Sequence, residues 1–291
     1  MSISPRELVA GAIEIASLPE IFLKVNEMID SPRHSAADIG RVISNDTAIS
    51  ARLLKIANSV FYGFPSQIDT ISRAITVIGT RELRELILAT SVTRCFKGLP
   101  NDLISMEEFW RHSICCALAS RSLAAHRGEQ FVERFFVAGL LHDIGSLLVY
   151  RKLPELAREA LLRAQHNNVP LYQAEQELMG FDHAMVGAEI LRKWKLPEHF
   201  QEATEFHHSP QRAQRFPSDT ALVHIADVIS DALQFGNSGD PHVPPMDPQA
   251  WQLAGLSDDT VSPVIADVEH QFNSVFELFH PEPHGVAANL H

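Results

Sequence analysis

The sequence predicts an all-α fold, and three observations carry that prediction. Apolar residues recur at three- and four-residue spacing in segment after segment, as in Ile49, Leu53, Leu54, Ile56 and Ala57. Hydrogen-bond-accepting side chains stand just ahead of those segments, where the first free N–H groups of a helix need them. No segment reads as a sheet; the one place for a short β-hairpin is Val169 to Tyr172.

The elements follow in order. The first hundred residues read as short, closely spaced helices, one opened by Ser35 with Asp38 and the next by Asp46. Gly63-Phe64-Pro65 is a loop by its turn chemistry. Helical spacing resumes from Ile71 to Val92, with a break at Gly79 and a new N-cap at Thr80. Gly98 to Asn101 reads as a linker. Ser105 with Glu108 is a capping-box signature for a helix running to about His126. Phe131 to Tyr150 is so apolar that it predicts one buried helix, and Pro154 to Asn167 is a clean amphipathic one. Asp182 caps a helix through Trp194, Pro197 suits the first turn of another, and Ser218 caps one through about Leu233. Gln234 to Pro248 is a Gly-, Pro- and Asp-rich loop. A helical hairpin, roughly Pro248 to Leu253 and Asp258 to Leu278, precedes a loose tail from His280 to His291. This divides the chain into an N-terminal helical lobe (1–100), a second helical lobe (101–235) and a loop with a helical extension and tail (236–291).

Composition narrows the function classes. A chain of 291 residues can bury a sizeable core without covalent staples, and 45% hydrophobic with 21% charged residues is ordinary for a globular protein. Acidic residues outnumber basic ones, 36 to 24, for a formal charge of −12. The longest basic clusters are pairs such as Arg151-Lys152 and Arg192-Lys193, so no phosphate track is visible and no direct nucleic-acid partner is expected. Three cysteines, Cys95, Cys115 and Cys116, form neither a CxxC pair nor a disulfide framework; they suit a reducing compartment and small core positions. Met1 to Val9 lacks a secretory h-region and no run approaches a membrane span, so a cytoplasmic location without membrane contact is expected.

The chemistry lies in the placement of the histidines. There are fifteen. Reading forward, His112, His142-Asp143, His183, His207-His208 and Asp227 fall on or beside predicted helices and mix imidazole with carboxylate. That mixture suits Fe, Mn, Ni or Zn, and an Asp beside a His can bridge two ions through its two oxygens. An adjacent His and Asp in the apolar run Ala138 to Gly145 has no local reason to be there unless a metal ion or a hydrogen-bonded partner satisfies it. His224, one turn before Asp227, is a candidate supporting partner. Glu107 and Glu108 near His112 are explained by helix-start acidity. Gly139 and Gly145, flanking the pair, suit close helix packing.

Several separate motifs now resemble one family. His142-Asp143-Ile144-Gly145 looks like the signature of HD-type metal-dependent phosphohydrolases. Asn45 to Leu54, Ala57-Asn58-Ser59, Phe61-Tyr62-Gly63 and Ile71 to Gly79 resemble the N-terminal half of HDOD proteins. Gly180-Phe181-Asp182-His183, Gly187, Trp194 to Pro197, His207-His208 and Ala226-Asp227 follow in the family's order, so the resemblance covers about residues 14–235.

The resemblance implies an HD-like multi-helix bundle with its N-terminal lobe, in a bacterial signal-transduction module that acts through other signalling proteins. It implies that His112, His142, Asp143 and Asp227 hold one metal, and that His183, His207 and His208 hold a second with Asp143 bridging. No organic cofactor is implied. HDOD proteins are regarded as non-catalytic relatives of the phosphohydrolases, and two departures point the same way. Ser146 stands where HD enzymes often carry a lysine, and Ser209 to Pro217 lacks the Gly-Tyr-Pro of the cyclic-di-GMP phosphodiesterases. The other reading is a phosphohydrolase of a nucleotide or cyclic nucleotide, with Asp143 as its catalytic bridging residue. A third is a small-ligand sensor, for instance of a nucleotide, using the cleft between the lobes.

Overall fold

The structure is a computed structural model that describes residues 3–12, 18–96 and 103–280. The expected linker at Gly98 to Asn101 and nearly all of the expected tail lie outside those residues. Among the described residues the protein is helical throughout and contains no strand. No helix among them is long and apolar enough to cross a membrane.

The first six helices are α1 (Pro5–Ala10), α2 (Glu20–Ile29), α3 (Ala36–Ser44), α4 (Thr47–Ala57), α5 (Ile71–Ile78) and α6 (Thr80–Cys95). Their starts follow the local chemistry. Ser35 accepts from the Asp38 N–H while Asp38 accepts from the Ser35 N–H, and Asp46 accepts from the Ile49 N–H at 2.9 Å. The break between α5 and α6 falls at Gly79, whose φ of +104° an L side chain rarely adopts. Gly79 itself occupies the N-cap, without a side-chain bond, and Thr80 is the first helical residue rather than the cap.

The bundle is organised around α7 (Met106–His126), which is buried along most of its length and packs against α8 (Glu133–Leu141), α14 (Pro217–Leu233) and α16 (Val261–Phe279). Small residues on α7 let its neighbours approach. A Cβ on Gly139 of α8 would lie 2.6 Å from the Cys116 carbonyl oxygen and 2.8 Å from the Ala117 Cα. A second close pair is α9 (Ile144–Lys152) against α12 (His183–Lys193), where Gly145 rests on the His183 carbonyl. Helices α10 (Pro154–Asn167), α11 (Leu171–Met179), α13 (Glu198–Phe206) and α15 (Ala250–Ala254) complete the fold, with 3-10 turns at Pro210–Arg212 and Asp258–Thr260. Buried apolar side chains from Leu8 to Phe279 form one continuous core; Ala160, Ala164, Leu171 and Ala174 form a small satellite.

Three expectations are corrected. The apolar stretch from Phe131 to Tyr150 is two helices, not one: α8 ends at Leu141, the chain turns through His142 and Asp143, and α9 begins at Ile144. Periodicity could not show this, because both helices are buried all round. Val169 to Tyr172 is no hairpin; it leads into α11, started by Pro170 after the left-handed Asn168 closes α10. Ser218 does not cap α14, which starts one residue earlier at Pro217; its hydroxyl instead meets the Arg127 guanidinium.

The loop after α14 is packed, not free. Arg111 donates to the Phe235 carbonyl, Asn237 N–H to the Glu108 carbonyl, and the Tyr150 hydroxyl to the Ser238 carbonyl. It therefore lies over the end of α7 that carries His112.

Candidate metal centre

Five elements deliver seven side chains to one place. His112 comes from the second turn of α7, His142 and Asp143 from the turn between α8 and α9, and His183 from the first position of α12. His207 and His208 follow the last residue of α13, and Asp227 lies on α14. Two groups result: Asp143, His183, His207 and His208 converge in one, and His112, His142 and Asp227 in the other, with ligand atoms in each within 4.8 Å of one another. Six of the seven residues are at most 4% exposed; His208, at the edge, is partly open and stacks on Tyr172 at 4.4 Å between ring centroids.

Asp143 joins the groups. Its Oδ1 lies 3.2 Å from His183 Nε2 and 3.4 Å from His207 Nε2. Its Oδ2 lies 3.3 Å from His142 Nε2 and 3.7 Å from His112 Nε2. Asp227 Oδ1 is 3.2 Å from both His112 Nε2 and His142 Nε2. The turn at His142-Asp143 makes this possible: a continued helix would send the two side chains about 100° apart around its axis.

The far side of most rings is committed elsewhere. His142 Nδ1 donates to the Gly139 carbonyl and His207 Nδ1 to the Thr204 carbonyl, each at 2.7 Å. His183 Nδ1 donates to Glu175 Oε2 at 2.7 Å, and the same oxygen takes the His183 backbone N–H at 2.8 Å. His112 Nδ1 faces Asp231 Oδ1 at 3.4 Å. With Nδ1 carrying the proton, Nε2 presents a bare lone pair, and these lone pairs point at one another and at carboxylates. His208 Nε2 is 2.9 Å from His183 Nε2, and His112 Nε2 is 3.3 Å from His142 Nε2. His207 Nε2 and Asp143 Oδ1 are buried with no hydrogen-bond partner.

Acceptors facing acceptors in a dry site repel unless a cation stands between them. Ligand atoms about 2.1 Å from a shared ion stand about 3.0–3.4 Å apart, and the spacings here run from 2.9 to 3.7 Å, most of them within that range. The residues present therefore fit a metal site.

Electrostatics without an ion tell the same story. Burial alone would neutralise His142 and His183. Asp143 beside His142, and Glu175 with Asp143 beside His183, nevertheless hold both imidazoles well above the usual range. Burial likewise opposes charge on Asp143 and Asp227, yet the neighbouring imidazoles, His142 foremost, hold both carboxyls well below the usual range. His208 is pushed well down by burial and by His207 and His183.

His224 stands behind the centre and contacts it through backbone. Its Nδ1 donates to the His207 carbonyl at 2.7 Å and its Nε2 accepts from the Asp247 N–H at 2.8 Å, so it props the backbone of the His207-His208 turn. Glu107 and Glu108 do not enter the cluster. Sequence reasoning missed two carboxylates, Glu175 and Asp231. Asp231 sits four residues after Asp227 on α14, the spacing that puts two side chains on one helix face, and that signal could have found it. Glu175 belongs to a helix that had not been identified.

Removing the charge behind His183 tests this arrangement. Glu175→Gln is expected to weaken metal binding about 10- to 100-fold, the usual effect of losing an orienting carboxylate, with little change in helix content. Competition against a chromogenic chelator, alongside circular dichroism, measures both; unchanged affinity would show that Glu175 does not orient the ring.

Comparisons with known proteins agree with this fold. The pattern characteristic of the HDOD domain matches residues 15–210, more than half of the chain. An uncharacterized protein of Treponema pallidum (strain Nichols) is 26% identical over 197 residues, 67% of this chain but 38% of that protein, so the chain spans well under half of that relative. Three crystal structures share the fold. An HDOD domain protein of unknown function from Geobacter sulfurreducens superposes with a TM-score of 0.76 at 24% identity, covering 94% of this chain and 96% of the other. A protein from Shewanella amazonensis SB2B, described as a candidate phosphohydrolase, gives 0.71 at 22% identity over 94% and 96% of the two chains. One from Marinobacter aquaeolei VT8, described as a candidate signal transduction protein, gives 0.68 at 17% over 90% of this chain and 58% of the other. On the extent of the domain match, the chain belongs to the HDOD family.

Proposed function

We propose that this chain is a bacterial signal-transduction module that works through contacts with other signalling proteins. Its seven-residue centre holds two divalent transition-metal ions, drawn from Fe, Mn, Ni and Zn, that brace the bundle. The observation that supports this most is the division of Asp143: Oδ1 faces His183 and His207, while Oδ2 faces His142 and His112. A carboxylate shared in that way is the bridge of a two-ion site. Asp143 and Asp227 are buried carboxylates inside the centre, the buried Glu175 stands behind His183, and Asp231, 12% exposed, stands behind His112. Ligands from five elements tie α7, α8, α12, α13 and α14 together, so binding free energy becomes folding free energy. The burial of six of the seven residues favours a bracing role over turnover.

The bridging geometry also keeps a second reading in play, hydrolysis of a nucleotide or cyclic nucleotide. When bound, a pair of ions supplies Lewis acidity that clamps the attacking and leaving oxygens of a phosphate ester. In that reading Asp143 holds the ions together, His208 and Tyr172 edge the approach, and Ser146, buried behind Asp143, offers no charge to a phosphate. Protein loaded with manganese or iron separates the two. The module reading expects no turnover of bis(p-nitrophenyl) phosphate or cyclic dinucleotides. Metal-dependent turnover that Asp143→Asn abolishes would overturn it in favour of the hydrolase.

A further inference from the structure

A polar cavity that none of the seven centre residues lines lies where α2 and α6 meet α8 and α13. Its volume is about 580 Å³, within the range of small-molecule pockets. Its lining is unbalanced: five carboxylates stand against three guanidinium groups. Glu85 is the sharpest feature. Its side chain is 8% exposed, one oxygen pairs with Arg84 at 3.0 Å, and Oε2 is buried with no partner. Glu82, three residues earlier on α6, and the buried Glu133 of α8, which Arg121 pairs from outside the lining at 3.7 Å, add two more carboxylates. A buried carboxylate oxygen left unpaired among other carboxylates is costly, and a donor from outside relieves it.

The mouth adds an independent signal. Phe131 is 45% exposed, and its ring face holds the Arg81 guanidinium 5.5 Å from the centroid. An exposed aromatic face is a cation-binding surface, and here Arg81 competes for it. His199 is also in the lining, its Nε2 buried without a partner. Burial, with help from Arg134 and Arg84, pushes its pKa down to about 4, so it is neutral near pH 7.

We propose that this cleft binds a small organic cation rich in N–H donors, an alkyl polyamine or guanidine, with Glu85 as its main acceptor and Phe131 as its aromatic face. The inference stands apart from the metal reading, since none of the seven centre residues lines the cleft. The position is nonetheless informative. Glu133 and Arg134 open α8, which ends at His142-Asp143; His199 lies in the first turn of α13, which ends at His207-His208. Each helix has nine residues, about 13 Å, so an occupant would rest on the two helices whose far ends place four of the seven.

Isothermal titration of the full chain with agmatine tests the proposal, with AMP and magnesium chloride as comparators. Saturable binding of agmatine is expected, weakened about tenfold or more by Glu85→Gln and about two- to fivefold by Phe131→Leu. Arg81→Ala is expected to strengthen it, by freeing the Phe131 face. Phe131 and Arg81 are both exposed, so these two variants carry the test if Glu85→Gln fails to fold. No agmatine binding, or binding indifferent to all three substitutions, would overturn the proposal. So would preferential binding of AMP that Arg81→Ala weakens, which would mark an anion site. Magnesium binding lost in Glu85→Gln, without agmatine binding, would mark a metal site instead.

Discussion

Asp143→Ala is expected to empty the centre of metal and to destabilise the chain by about 3–5 kcal/mol, the usual result of leaving buried charged partners uncompensated. For a chain of this size that corresponds to a drop of about 10 °C in Tm. Both halves of the expectation come from one geometric fact: Asp143 is the only residue of the seven found within 4 Å of Nε2 atoms in both groups through separate oxygens. Without it, His183 and His207 lose their only acidic contact in the cluster's interior, and His142 loses one of its two. Asp143→Asn keeps the shape and one carbonyl oxygen but cannot bridge, so it should lose metal while costing less stability. Elemental analysis and thermal denaturation of both variants check this; wild-type metal content in Asp143→Ala would remove the residue from the centre.

Gly145→Ala should be comparably damaging for a wholly steric reason. A Cβ there would lie 2.0 Å from the His183 carbonyl oxygen and 2.5 Å from the Gly187 backbone nitrogen. Both obstacles are backbone, so relief requires α9 and α12 to part. Overpacking of this kind costs about 3 kcal/mol, and it displaces the helix that starts with His183. Gly187→Ala, across the same contact, meets the Thr204 methyl first, at 2.7 Å, and should cost less because a side chain can shift more readily than backbone. Denaturant unfolding orders the two. A Gly145→Ala variant as stable as the wild type would mean that α9 and α12 are not packed in this way.

The difference between what was legible in the sequence and what was not lies in how local each signal is. Caps are local: Ser35, Asp46, Ser105 and Asp182 each bond a backbone N–H three residues on, and all four start helices where expected. The seven residues of the centre were legible as a set because His and Asp in apolar surroundings stand out and because their order matched a family. Their division into two groups bridged by Asp143 was implied by that resemblance, but which Asp143 oxygen faces which imidazoles was not legible. The turn at His142-Asp143 stayed hidden because α8 and α9 are apolar on every side, so the interruption leaves no trace in hydrophobic spacing. Glu175 stayed hidden because its helix begins with Pro170 and ends with Gly180, punctuation that also reads as loop. The cleft holding Glu85 and Phe131 joins residues from four helices far apart in sequence, which no local pattern reports.

The central claim is that these seven side chains form a two-ion site that braces the fold. The most direct test is elemental analysis of protein purified without added metal or a histidine-rich tag, followed by chelation and thermal denaturation of the same sample. The account predicts up to two equivalents of iron, manganese, nickel or zinc per chain. It also predicts a Tm that falls when the metal is stripped, by an amount reflecting about 4 kcal/mol for each ion whose free concentration stood a thousandfold above its dissociation constant. Protein that carries no metal, takes none up under reducing conditions, and unfolds at the same temperature with or without chelator would contradict it.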